Sequence, residues 1–442
     1  MKNNNIFISN SITIGLIKTA LPSVFSMLAF SFSQIITSSF LQSSGKIELL
    51  TAVSVCYPLF MAVLSVGQGI GVAGCGLVAK SGGRNDSKSQ RITVCQVLMI
   101  TVGISAFITV LLLLLKQNLI FVLSYRFKIK ETPEYYTVLA LGSLFTVAIM
   151  VLNNLSRGFG YVWHSFISML ICCVSNIAGD YIVIYKTGAG ASSIALSLVI
   201  SQAIGCAYLV FILFVKNQIE FSFNKKVFKK VSYYIAAIGT PVFLTQLGAG
   251  ITLAVLIYFA SYSKEFAAGF VMGNKVYMVV FQAILGFTQG LLPFCAYFYG
   301  KNQKYNLKKG LYSALKICGV ASILFTAVFM LFTKPVLSLF AGTGEIYLAA
   351  KTALVLRSIT LFAASTVQVF TVYYQATSQK IKAAALSLLR QLIFLLPLCF
   401  TVRFLPFDKY TDICLAMPIA DALTFMVCLF FIKSGTKSKR LS

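Results

Sequence analysis

One carboxylate lies within an otherwise uncharged stretch of the chain. Residues 165–185 read SFISMLICCVSNIAGDYIVIY, and Asp180 is the one charged side chain among them. An aspartate at the centre of a membrane helix costs about 2.5–3.5 kcal/mol, so it must pair, contact water or take up a proton. Asn176 precedes it by four residues and shares its helix face, where an amide can hydrogen-bond to either form of the carboxyl. The two residues predict a site that binds and releases a small cation.

A second aspartate, Asp421, also lies well within an apolar segment. We predict a structural ion pair between Asp421 and Arg390, because a buried charge requires a partner. Six amide side chains in apolar segments are candidates to face a cavity and bind a substrate, although helix packing explains each of them equally well. They are Gln34, Asn153, Asn154, Gln246, Asn274 and Gln289.

The elements that position these side chains are membrane helices. The chain has 442 residues, is 58% hydrophobic and only 11% charged, and its mean hydropathy is +0.86. Soluble domains carry about 25% charged residues, whereas apolar runs of about twenty residues cross the hydrocarbon as helices. No cleavable signal peptide is expected. We predict an all-α membrane protein with twelve transmembrane helices, at 14–41, 49–79, 92–115, 135–156, 165–185, 192–215, 233–261, 267–298, 310–332, 352–376, 383–401 and 413–433.

The basic residues indicate the orientation in the membrane. If the N-terminus is cytoplasmic, 22 of the 37 lysines and arginines fall on the inner side, 11 on the outer side and four within or at the edge of helices. Such a bias predicts that both termini are cytoplasmic. The net charge of +26 is explained in this way, and a nucleic-acid partner is not expected.

The two halves of the chain resemble each other. Glycines of GQGIG, at Gly67 and Gly71, match those of GFTQG, at Gly286 and Gly290, at an offset of 219 residues (286 − 67). Basic loops follow both segments. The polar stretch 217–230 then reads as a linker between two six-helix lobes, residues 1–222 and 223–442. Since six is even, this is a parallel duplication, which is characteristic of transporters.

Two prolines share the same offset. Pro22 and Pro241 each remove a backbone donor from a helix, so they are either bending points for conformational change or static kinks. The glycines of the repeat are likewise candidates for close helix packing. His164 is the single histidine, so a zinc or haem site is not expected. We see no nucleophile–base set or paired acids and expect neither an enzyme nor a bound cofactor.

Several motifs resemble one family. GFTQGLLPFCAYFYGKNQ (286–303) resembles the Q-G-x-x-P-x-x-x-Y-x-Y-G signature of the multidrug and toxic compound extrusion (MATE) family. LNNLSRGFG (152–160) is similar to the family's N-N-x-x-R-A-x-G, and CLAMPIADAL (414–423) resembles its last helix. The resemblance covers nearly the whole chain, in order. The spacing is most similar to the bacterial branch that includes the DNA-damage-inducible-type members.

The resemblance implies a fold and a function. The family has two six-helix bundles in a V around a central cavity, and exports drugs, usually organic cations, in exchange for protons or sodium ions. For this chain it implies a multi-pass protein of the bacterial plasma membrane, drug-like small molecules as partners, and a monomer. A lipid-linked oligosaccharide flippase of the same superfamily is the alternative, which the scarcity of basic residues within the helices disfavours.

The resemblance also implies a coupling site. Asn176 and Asp180 match the N-I-x-x-D of the family's fifth helix, where the acid takes part in cation coupling. Many members carry a further aspartate on the first helix, where this chain has QIIT and therefore Thr37. Ser197, on the sixth helix, is a candidate for a further oxygen ligand. Sodium prefers several oxygen ligands, whereas a single remaining carboxylate favours protons, and both alternatives stay open.

Overall fold

The computed structural model describes residues 7, 11–44, 47–123, 131–187, 190–220, 222–260, 264–338, 344–401 and 409–437. Every regular element among these residues is helical. The α-helices are α1 Ile12–Ser43, α2 Ile47–Gly83, α3 Ser87–Leu114, α4 Lys116–Leu123, α5 Thr132–Leu141, α6 Ser143–Gly158, α7 Val162–Tyr181, α8 Ala191–Val215, α9 Lys225–Tyr234, α10 Thr240–Ala260, α11 Lys264–Gly300, α12 Lys304–Leu331, α13 Thr333–Ser338, α14 Glu345–Ile359, α15 Leu361–Ala376, α16 Lys380–Leu388, α17 Leu396–Thr401 and α18 Lys409–Lys437. Three π-helical turns, Ile182–Thr187, Ile235–Gly239 and Leu389–Leu395, continue α7, α9 and α16.

The helices form two bundles of six membrane spans. In the described part of the chain, ten helical spans are long and apolar enough to cross a membrane, and twelve result when two bent pairs count as one span each. The first bundle comprises α1 to α8 and the second α9 to α18. The predicted all-α membrane fold with twelve helices is confirmed. The boundary between the lobes at residues 222 and 223 stays a prediction.

The fourth span of each bundle is broken at an equivalent place. The angle between α5 and α6 is 47°, and the angle between α14 and α15 is 51°. The breaks fall at Gly142 and Thr360, which correspond to within one residue at the repeat offset. Neither break was predicted from the sequence, because hydropathy reports the apolar content of a segment and not the direction of its helix.

The two repeat prolines lie in different local structures. Pro22 is inside α1, which runs without interruption from Ile12 to Ser43. Pro241 is in the first turn of α10, directly after the π-turn Ile235–Gly239. Because proline lacks an N–H, the carbonyl four residues earlier has no helical donor, and the wider π-turn occupies that stretch. The role of both prolines as bending points stays a prediction.

A seam of close helix contacts joins the two bundles. It is formed by α1 and α2 of the first bundle against α10 and α11 of the second. A Cβ atom at Gly286 would lie 2.6 Å from Cα of Val24, so α11 and α1 meet backbone to backbone. Small residues permit this approach between membrane helices, where packing rather than the hydrophobic effect drives association.

The equivalent helices meet in different registers along the seam. Ala20 of α1 contacts Gly290 of α11, whereas Gly239, the equivalent of Ala20, contacts Gly69 of α2. The equivalent of Gly290 is Gly71, so the registers differ by two residues, about 3 Å along a helix. Gly71 itself packs against α6 of its own bundle. The interpretation of the repeat glycines as close-packing sites is confirmed, but the two repeats use them for different contacts.

The ends of α2 and α11 pass each other at two reciprocal glycines. A Cβ atom at Gly83 would overlap the carbonyl oxygen of Tyr297, and a Cβ atom at Gly300 would overlap the carbonyl oxygen of Lys80. Both overlaps involve backbone, which cannot move aside as a flexible side chain can. Glycine is therefore required at both positions for this contact.

We expect Gly83→Ala and Gly300→Ala each to lower the free energy of unfolding by about 1–3 kcal/mol, the usual cost of overpacking. Thermal unfolding of the purified protein in detergent measures the change. Gly103→Ala is the matched control, because a Cβ atom there meets nothing within 4 Å and alanine favours a helix. Equal melting temperatures for all three variants would contradict the seam contact.

Candidate functional site

Asp180 is the centre of a buried polar cluster in the first bundle. Its side chain is fully buried. The Thr37 hydroxyl donates to Asp180 Oδ2 at 2.7 Å, and Asn176 Nδ2 donates to Asp180 Oδ1 at 3.3 Å. The Ser197 hydroxyl donates to the Asn176 backbone carbonyl at 3.3 Å. The structure therefore brings together all four residues that were predicted for cation coupling, from α1, α7 and α8.

Local sequence explains how these helices come close enough. A Cβ atom at Gly179 would overlap Ser197 Oγ, so glycine before the aspartate lets α8 approach α7. Asp180 lies near the end of α7, directly before its π-turn. Tyr135 of α5 is also buried and within electrostatic range of Asp180. It was not identified from the sequence, because a tyrosine in an apolar run carries no distinguishing signal.

A cavity opens inside the first bundle beside this cluster. Its volume is about 30 Å³, and its polar lining is Ser33, Gln34, Asn176, Ser201 and Gln202. The remaining lining residues are apolar. Asn176 both lines the cavity and donates to Asp180, so it links the open space to the buried carboxylate.

Within the described part of the chain, no cation accompanies the buried carboxylate of Asp180. Among the described residues, the ion pair closer than 4 Å is that of Arg390 and Asp421. The partners of Asp180 are neutral donors, a hydroxyl and an amide. A carboxylate held in this way can accept a cation without first losing an existing partner.

The six amide candidates have four different placements. Gln34 lines the cavity, and Gln246 is exposed on α10. Gln289 accepts a hydrogen bond from Arg157 across the seam. The other three are buried in helix contacts: Asn153 accepts from Ser165, Asn154 donates to Gln68, and Asn274 accepts from Arg357. That the six residues contact a substrate stays a prediction.

Two buried arginines were not identified as site residues from the sequence. Arg157 donates from Nε to the Ser165 hydroxyl at 3.1 Å and from Nη1 to Gln289. Arg357 donates to Asn274, and its guanidinium lies 4.1 Å from the ring centroid of Tyr277. Their signal in the sequence is a single arginine in an apolar stretch, and amides and a ring, rather than acids, stabilise them.

The predicted pair of Arg390 and Asp421 is confirmed. Arg390 Nε lies 2.6 Å from Asp421 Oδ1, and Thr360 Oγ1 donates to Asp421 Oδ2 at 3.5 Å. The pair joins the π-turn after α16 to α18. The aspartate side chain is 3% exposed, so each charged group is stabilised by the other.

We expect Asp421→Ala to lower the free energy of unfolding by about 3–5 kcal/mol, because it leaves Arg390 buried without a counter-charge. The double variant Asp421→Leu/Arg390→Met removes both charges and should recover much of that loss. Thermal unfolding in detergent compares the two variants with the wild type. If the double variant is as unstable as the single one, the pair is not the stabilising element.

Comparison with known proteins gives one family. The family model described as MatE matches residues 22–182 and again residues 241–401. A multidrug export protein MepA of Staphylococcus haemolyticus is 23% identical over 98% of this chain and 96% of its own. The MepA of Staphylococcus aureus is 25% identical over 87% and 85%. A crystal structure of MATE in complex with MaD3S matches with a TM-score of 0.90 at 20% identity, over 100% of both chains.

The family match has the same internal period as the sequence. Its first range begins at Pro22 and its second at Pro241, the proline pair that shares the repeat offset. Together the two ranges cover more than half of the chain, and the structural match extends over its whole length. The homologous proteins are transporters rather than enzymes. This chain therefore belongs to the MatE family, the multidrug and toxic compound extrusion proteins.

Proposed function

We propose that this protein is a secondary-active exporter of organic, often cationic compounds, which it exchanges for a monovalent cation bound at Asp180. One observation carries the proposal: a fully buried carboxylate has neutral partners only and connects through Asn176 to a small cavity inside the first bundle. The names of the relatives, multidrug export proteins, agree with this activity.

The cluster around Asp180 suits a site that is loaded and unloaded. An empty site holds a negative charge in apolar surroundings, which is costly, and a cation neutralises it. A hydroxyl can turn from donor to acceptor, so Thr37 can serve the carboxylate and also the protonated carboxyl. Binding of the cation therefore lowers the free energy of the cluster. If binding is stronger in one conformation of the protein than in another, the population shifts toward that conformation.

A proton is the coupling ion that we propose, with sodium as the alternative. A proton needs one carboxylate and a hydrogen-bond partner, and Asp180 with Thr37 supplies both. Sodium would need several oxygens, for which the Thr37 and Ser197 hydroxyls and the Asn176 amide oxygen are the candidates beside Asp180. Only one carboxylate serves this cluster among the described residues, which favours the proton.

The residues that line the small cavity have the chemistry to contact apolar substrates with few polar groups. The lining combines Phe30, Met150 and Met169 with a small number of amides and hydroxyls, and contains no basic side chain. Methionines adapt to ligands of different shape, and an aromatic face attracts an organic cation. A pyrophosphate headgroup would require cations instead. Inward flow of the coupling cation would drive export from the cytoplasm, and we propose a monomer in the bacterial plasma membrane.

We expect Asp180→Asn to reduce ethidium efflux driven by a pH gradient in proteoliposomes to the background rate. An amide cannot take up and release a proton, whereas it can keep hydrogen bonds to Thr37 and Asn176. Asp86→Asn is the matched control: Asp86 caps α3, and asparagine caps a helix equally well. Efflux that persists in Asp180→Asn, with the control unchanged, would rule out coupling at this carboxylate.

Separate gradients distinguish the two ions. We expect a pH gradient without sodium to drive efflux, and a sodium gradient at equal pH to drive none. Thr37→Val should slow proton-driven efflux about tenfold, because a buried hydrogen bond to a charged group contributes roughly 1.5 kcal/mol or more, and Thr37→Ser should restore it. Efflux driven by a sodium gradient alone would indicate that the site couples export to sodium rather than to protons.

A further inference from the structure

Four basic side chains from both bundles converge beside the reciprocal glycines at the ends of α2 and α11. They are Lys80 of α2, Arg84 in the turn that follows, Lys230 of α9 and Lys380 of α16. Arg84, Lys230 and Lys380 all lie close enough to Lys80 to repel its ammonium group. We call these four residues the basic cluster.

No carboxylate neutralises the basic cluster among the residues that the structure describes. The ion pair that the described residues form joins Arg390 to Asp421 and involves none of the four cations. The polar contacts of the cluster are neutral: Lys80 Nζ donates to Ser378 Oγ at 3.3 Å, and Lys380 Nζ lies 3.8 Å from the ring centroid of Tyr233. Like charges held together without an acid destabilise the contact between the bundles, so a bound anion would stabilise it.

The nearest acid in the sequence is already used. Asp86 follows Arg84 by two residues, but its Oδ1 accepts the backbone N–H of Ser89 at 2.9 Å and caps α3. A side chain that caps a helix contributes to the stability of that helix and does not form an ion pair with Arg84 in the structure. The cluster therefore keeps an excess of positive charge.

The surroundings of the cluster are those of a lipid headgroup. All four cations lie at the ends of membrane spans, where phosphates of the bilayer are found. Two exposed aromatic side chains accompany α9, Tyr233 at 67% exposure and Phe223 at 63%. Aromatic rings concentrate at the membrane interface, where basic side chains at the ends of helices meet the headgroups of anionic lipids. A soluble anion would gain nothing from the exposed aromatic side chains beside the cluster.

We propose that the basic cluster binds the phosphate of an anionic phospholipid, such as phosphatidylglycerol, in a site that the two bundles share. The first bundle contributes Lys80 and Arg84, and the second contributes Lys230 and Lys380. The lipid phosphate relieves the repulsion among the four cations and holds the ends of α2 and α11 together. This site is separate from Asp180 and does not depend on the ion that is exchanged there.

The test compares two double variants that lose the same charge. Lys230→Gln/Lys380→Gln changes the cluster, and Lys308→Gln/Lys309→Gln changes two exposed lysines at the start of α12. Native mass spectrometry of the purified protein, titrated with phosphatidylglycerol or phosphatidylcholine, measures bound lipid. A basic residue contributes about fivefold to the affinity for an anionic lipid, so we expect a loss of roughly 30-fold for the cluster variant and less than threefold for the control. Lys230→Arg/Lys380→Arg should retain binding.

Three results would overturn the proposal. One is equal loss in both double variants, which would indicate general attraction to the lipid surface. Another is phosphatidylcholine bound as tightly as phosphatidylglycerol. The third is inorganic phosphate raising the melting temperature of the wild type as much as phosphatidylglycerol does, which would assign the site to a free anion. Monodisperse elution of every variant shows that loss of binding is not loss of the fold.

Discussion

A charge without a partner is unstable in apolar surroundings, and this constraint explains most of the polar architecture of the protein. Arg390 and Asp421 neutralise each other directly. Arg157 and Arg357 remain cationic and are stabilised by amide, hydroxyl and aromatic groups. Asp180 alone of these side chains is an acid whose partners are all neutral. Its charge is therefore the one that a mobile cation can most readily change.

The same surroundings determine how the helices associate. In a bilayer the apolar surface of a helix gains little by leaving lipid, so close backbone contact has to provide the stability. The contacts at Gly286 and Gly290 on α11 provide it at one part of the seam, and the contact of Gly69 with Gly239 at another. Close contact of this kind is geometrically demanding, since any added side chain separates two helices along their whole shared length.

Features with a strong local signal could be predicted from the sequence. The helices follow from hydropathy, the repeat from glycines and prolines at one offset, and the cost of a buried acid singles out Asp180. Asn176 follows from helical spacing. The meeting of Thr37 with Asp180, 143 residues away, required the family resemblance, because no local pattern encodes it.

The features that the sequence does not decide have a common physical cause. Asn153, Asn154 and Asn274 look the same in sequence whether they face a cavity or a neighbouring helix, since an amide can hydrogen-bond in either place. The position of other polar groups decides between the two. Arg357, for example, has no ion pair with an acid among the described residues and donates a hydrogen bond to Asn274. The breaks at Gly142 and Thr360 are hidden for a similar reason, because an apolar run has the same composition when it is straight or bent.

The difference in register between the two halves of the seam has a consequence for the repeat itself. In a twofold pair of identical bundles, each copy offers its neighbour the same surface. Here Ala20 contacts Gly290, but its counterpart Gly239 contacts Gly69, so the surfaces are no longer interchangeable. The interface is therefore only approximately twofold. A pair made of two first halves, or of two second halves, would not reproduce both of these contacts.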